Sequence, residues 1–375
     1  MSGPAPAAID ELARRFPLVP RPRPALPPLS RQLAEIADLA RTPPEHPAAD
    51  ARIATAHNKA ALIASNCGQP DFARHLCWQH HHRYTDRHPW TARTARYALE
   101  PLVNLARLHI RDGRPDTAIR TLEALLNATS HGGIADIDGH RIDLGATIAT
   151  RNDRNTIRRW LWTVTLAEGI RALARTGRWD DALTHAERHH GIGATLLDGR
   201  QIAVLAHALG RDYGTAWTLL TASERVEPWQ DAVAHVLALL VNHCGGTPTA
   251  SPQNGGATVG TVIPRVDAPD AFGLEVRLAI ADLLHEPARC ARVNELIRSA
   301  ASVTDAALAK VILTHPARRH VPQSLLDRLT ALSDAAFRPE DPGRLAHKLA
   351  RALGAADLHP AIQETTRTGN PPITA

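Results

Sequence analysis

The sequence predicts an all-α protein built from antiparallel helical hairpins, and three observations carry that prediction. The chain of 375 residues is 44% hydrophobic but only 4% aromatic. Much of its apolar content is Ala and Leu, which favour helices, whereas sheets draw on β-branched and aromatic residues. Glycine followed by alanine five positions on recurs at Gly68/Ala73, Gly113/Ala118 and Gly177/Ala182. Glycine there frees the backbone to reverse, and alanine lets two helices approach closely. The clearest single stretch is WLWTVTLAEGIRALARTGRWDDALTHA, from Trp160 to Ala186. It reads as a helix from Leu161 to Arg175, a turn at Gly177 and a second helix opening at Asp180.

Composition excludes several classes. The net charge is +5 and the pI about 9.4, a balance that could suit nucleic acid. Only Lys59, Lys310 and Lys348 are lysines among 43 basic residues, however, and the arginines interleave with acids at helical spacing, as on a solvated face. Such an Ala- and Arg-rich chain fits a GC-rich genome better than a nucleic-acid binder. The four cysteines form no CxxC pair, and neither a signal peptide nor a membrane-spanning apolar run is apparent. The expectation is a cytoplasmic protein with reduced thiols.

Taken in order, residues 1–30 are punctuated by prolines from Pro4 to Pro28. That density favours an extended arm, interrupted by a short helix over Asp10 to Arg15. Ser30 is expected to cap a helix reaching Arg41. Ala49 to Asn66 is a long Ala-rich helix, and Pro70 opens its partner after Gly68. Thr91 is expected to cap the next helix, which carries Pro101 and reaches Arg111; Pro115 opens the following one after Gly113. GIADIDGHRIDL (133–144) places Asp138-Gly139 between apolar residues, the signature of a small β-hairpin or turn. In the similar stretch GATLLDGRQIAVL, Asp198 is expected to cap a helix starting near Arg200. A fourth hairpin pairs Gln201–Leu209 with Tyr213–Ser223, its Gly210/Ala216 one residue longer than the others. Helices are expected at Trp229–His243, 270–284, 288–301, 304–313 (capped by Thr304), 322–336 and 342–353.

The turn segments NCGQPDFARHL, RDGRPDTAIRTL, RTGRWDDALTHA and ALGRDYGTAWTLL resemble the tetratricopeptide repeat. That resemblance implies a right-handed α-solenoid of stacked helical hairpins with a concave ligand surface. The RWLW stretch and its continuation are also similar to an actinomycete group of helical proteins. The expected organisation is a Pro-rich arm and first helix (1–45), a repeat domain (46–244), a flexible linker (245–262) rich in Gly, Ser, Thr and Asn, a C-terminal helical subdomain (263–355) and a tail (356–375).

Candidate chemistry is sparse. No GxSxG, P-loop or strand-flanked GxGxxG is present. The densest polar cluster, Cys77 to His88, contains three consecutive histidines that point about 100° apart on a helix and cannot converge on one metal. Cys77 with His81 is the one i,i+4 pair there and has no second pair to complete it. The cluster reads as an exposed helix end, and neither a metal nor a cofactor is expected. A polar stripe is more telling. Arg93, Tyr97, Glu100, Asn104 and Arg107 follow at steps of four and three, opposite Leu99, Leu102, Val103 and Ala106. Asn58 and Glu168 precede their glycines much as Asn104 precedes Gly113, and one of Trp160 and Trp162, which cannot share a helix face, could stack on a ligand beside Arg158 and Arg159. The resemblance implies that Asn and Arg on this surface hold a peptide backbone or a carboxylate. The reading is a protein- or peptide-binding adaptor or regulator, favoured over an enzyme. The alternative is an enzyme or accessory protein of a specialised-metabolite pathway, with Glu100, His109 or a histidine of the 80–88 cluster converging in a pocket.

Overall fold

The computed structural model describes residues 6–16, 18–20, 25–245, 271–284, 293, 303–339 and 341–354. Its elements run in order as α1 (Pro6–Arg14), α2 (Leu29–Ala40), α3 (Ala49–Asn66), α4 (Pro70–His82), α5 (Ala92–Arg111), α6 (Pro115–His131), β1 (Ile134–Ile137), β2 (His140–Asp143), α7 (Leu144–Thr147) and α8 (Arg151–Arg175). They continue as α9 (Trp179–Arg188), α10 (Asp198–Leu209), α11 (Tyr213–Thr221), α12 (Pro228–His243), α13 (Ala271–Leu283), α14 (Ala306–Thr314), α15 (Gln323–Phe337) and α16 (Pro342–Ala352). A short 3-10 turn, Pro316–His320, precedes α15. Among the described residues the fold is all-α apart from one two-stranded antiparallel hairpin. The expected helix over 288–301 and the linker over 245–262 fall almost wholly outside the described residues. Among the described residues, no helix is long and apolar enough to cross a membrane.

Three of the helical turns share one local geometry. Gly68, Gly113 and Gly177 take φ of 77°, 69° and 73°. The amide after each glycine returns to a carbonyl five residues back: Gln69 to Ala64, Arg114 to His109 and Arg178 to Leu173, at 2.9, 2.9 and 3.0 Å. This is the Schellman closure, in which a left-handed residue satisfies the last carbonyls of a helix. The fourth turn corrects the sequence alignment. Gly210 has φ −75°, and the left-handed residue is Arg211, with φ 66°; Asp212 then bonds back to His207 at 2.8 Å. Counted from the left-handed residue, Ala216 again lies five positions on. Ala73, Ala118, Ala182 and Ala216 are all fully buried.

The chain divides into two compact units, each made of two stretches, with one boundary inside α8 and another inside α15. One unit comprises Leu26–Thr165 and Ala331–Ala375. In it α2 packs on α3, α3 on α4, α4 on α5 and α5 on α6, while α16 returns against α2 and α3. Leu76, Leu99, Leu102, Leu122 and Leu125 fill its core, joined by Leu345 and Leu349 from the C-terminal stretch. Asp138 and Gly139 carry φ of 51° and 80° between β1 and β2, the paired positive values of a two-residue hairpin turn.

The other unit comprises Met1–Ala25 and Leu166–Thr330. Here α9 packs on α10, α10 on α11 and α12, and α12 on α13. The expected extended arm is instead part of this unit. Ile9, Leu12, Ala13 and Phe16 are buried, and Asp10 accepts a 2.9 Å hydrogen bond from Trp179 Nε1. Arg15 lies 3.4 Å from the buried Asp282, which also faces His315 at 3.1 Å. A helix too short and Pro-flanked to stand alone gains its order from that burial.

Three expected caps are also corrected. Helix α2 starts at Leu29 after an extended Pro28, with no side chain capping it, so Ser30 lies inside it. Asp198 is the first residue of α10, not its cap, and its carboxylate lies 3.7 Å from Arg171. Helix α14 is capped by Asp305, which accepts from the Ala307 amide, and not by Thr304. Thr91 does cap α5, accepting from the Thr94 amide at 3.3 Å.

Candidate ligand-binding face

The face of interest belongs to the first unit described and is built by α3 and α5. On α5 the apolar side, Leu99, Leu102, Val103 and Ala106, is fully buried. The opposite stripe stays open: Arg93 is exposed, and Tyr97, Glu100, Asn104 and Arg107 are half-buried. Asn104 reaches across to α3, where its Nδ2 donates to Asn58 Oδ1 at 3.0 Å. Arg107 Nη1 donates to Asn104 Oδ1 at 2.8 Å. Asn58, Asn104 and Arg107 therefore form one hydrogen-bonded ladder. One turn further on, Arg111 Nη1 donates to Ser65 Oγ at 2.5 Å and to Asn66 Oδ1 at 3.3 Å. Leu62, 42% exposed, lies on α3 between these two links. The face thus combines amides, two guanidinium groups and an apolar side chain.

At the other end of the stripe, Glu100 pairs with Arg96 at 3.4 Å. The Arg96 guanidinium lies 4.3 Å from the Trp160 ring centroid, a cation–π contact. Trp162 is 38% exposed. Glu168 lies in the other unit and is 4% exposed there. The enzyme pairing of Glu100 with His109 does not assemble. Nine residues apart on one helix, they sit about 13 Å apart along its axis and half a revolution around it. His109 is buried and faces Asp138 at 3.7 Å.

The histidine run differs from an exposed helix end. His80 and His81 are buried and only His82 is exposed. His80 stacks on His57 of α3, with centroids 5.1 Å apart and planes 17° from parallel, and the Tyr84 ring is 5.8 Å away. His57 Nδ1 and both His80 ring nitrogens are buried without a hydrogen-bond partner among the described residues. Burial, with Arg83 nearby, lowers His57 to about 4. Burial, reinforced by His57 and Arg83, lowers His80 to about 2. Both rings are therefore neutral at pH 7. His81 Nδ1 faces Ala98 O at 2.8 Å. Burial pushes the Cys77 thiol up to about 12, so it is a poor thiolate donor beside His81. His140, at the start of β2, stacks on Trp78 at 3.9 Å.

Sequence reasoning placed the α5 stripe but missed the His57/His80 stack. A lone histidine in an Ala-rich helix gives no local sign of a partner on the next helix. No family model, curated protein or solved structure matches the chain.

Proposed function

We propose that this chain is a helical-repeat adaptor that holds a protein or peptide segment on the α3/α5 face. In this reading the hairpins stack as a right-handed solenoid resembling tetratricopeptide repeats, with their first helices turned to the ligand. The observation that carries it is the Asn58–Asn104–Arg107 ladder. Side-chain amides fixed by one another lose little entropy on binding, and an amide offers two hydrogens and two carbonyl lone pairs for hydrogen bonding. Arg107 and Arg111 add two cations suited to carboxylates, and Leu62 offers a seat for one apolar side chain.

The test begins with a photo-crosslinking residue at position 62 in the full chain, which marks whatever docks beside the ladder. The partner identified in that way is then purified and its affinity measured against Asn104→Ala and Arg107→Ala. At least a tenfold loss in each is expected. Unchanged affinity in both variants overturns the assignment.

A further inference from the structure

We propose that His185 and His189 bind a divalent transition-metal cation of the zinc class. His185 lies in the last turn of α9 and His189 is that helix's C-terminal cap residue. Four positions apart, the two project from the same face. Their ring centroids are 4.5 Å apart, and a ligand atom of each lies within 4.8 Å of the other. Two imidazole nitrogens on one tetrahedral zinc stand about 3.4 Å apart, so a small side-chain rotation closes the pair on a metal.

Three further features favour a cation there. The His185 imidazole is 3% exposed and lies against Gly169 of α8, where even a methyl group would sit 2.2 Å from Nε2. The ring is thus held in place before any metal arrives. The site is at a helix C-terminus, where the outward carbonyls favour positive charge. Imidazole ligands also select zinc, copper, nickel or cobalt over magnesium and calcium. The two histidines fill half of a tetrahedral sphere. The other histidine groups are less suited: His81 has Nδ1 against a carbonyl, and the His140 ring is stacked on Trp78.

Zinc chloride titrated into the full chain by calorimetry tests the proposal. One-to-one binding is expected, weakened at least tenfold in His189→Ala and unchanged in a His82→Ala/His140→Ala double variant. Histidine footprinting by mass spectrometry keeps the test independent of any variant's folding: zinc is expected to protect the partly exposed His189 from acylation but not the exposed His190. The proposal is overturned if zinc does not bind at 100-fold excess, if His189→Ala binds as the parent does, or if protection falls on other histidines.

Discussion

Gly169→Ala tests whether α8 and α9 meet as closely as described. Gly169 lies inside the long helix α8, where alanine is ordinarily preferred by about 0.8–1 kcal/mol. Here the added methyl would sit 2.2, 2.6 and 2.8 Å from Nε2, Cε1 and Cδ2 of His185. Ordinary contact needs at least about 3.4 Å, so the ring must retreat by roughly 1.2 Å. It is buried and has little room to do so. Overpacking of this kind costs about 1–3 kcal/mol, which exceeds the propensity gain. A net loss of up to about 2 kcal/mol is expected, read from denaturant midpoints at constant m. In a His185→Ala background the obstacle is gone, and the same Gly169→Ala should stabilise by up to about 1 kcal/mol. The change of sign gives a coupling of about 2 kcal/mol, well within what contacting residues show. A raised midpoint for Gly169→Ala alone, or equal effects in the two backgrounds, would refute the close approach.

Other expectations follow from the same geometry. Because burial holds His57 near 4 and His80 near 2, the unfolded chain binds more protons than the folded one below pH 6.5. Stability is therefore full above that pH and falls as pH drops from 6.5 toward 4; His80→Leu should flatten a plot of denaturation midpoint against pH over that window. Arg211 holds φ of 66°, which costs a non-glycine residue about 1 kcal/mol, so Arg211→Gly should raise the denaturant midpoint and Gly113→Ala should lower it. Asp282 is flanked by the buried His315 and by the partly exposed Arg15; Asp282→Asn should destabilise by about 1–3 kcal/mol in the same assay, since it removes the carboxylate that both groups face.

What the sequence revealed was local. Glycines 68, 113 and 177 mark their turns because only a residue free of a β-carbon adopts a left-handed closure without strain. Asp138-Gly139 announces its hairpin for the same reason, and the α5 stripe is legible because its period is that of the helix itself. Where a residue broke the local rule, the reading slipped by one: Arg211 does at the fourth turn what glycine does at the others, so aligning on Gly210 misplaced the register.

Burial set by distant partners left no such trace. Asp10 meets Trp179 and Arg15 meets Asp282 across 169 and 267 positions of chain, and proline density alone suggested an arm where a docked helix lies. The histidine run shows the same limit from the other side. That successive side chains diverge by about 100° was legible, and it rightly separated the three rings. Divergence also means that neighbouring rings meet different surroundings, so His80 goes inward to His57 and His82 outward to solvent. Nothing within α4 could decide which ring was which. That choice belongs to α3, whose Ala56, Ala60 and Ala64 are fully buried and let α4 come close enough for an imidazole to stack on His57.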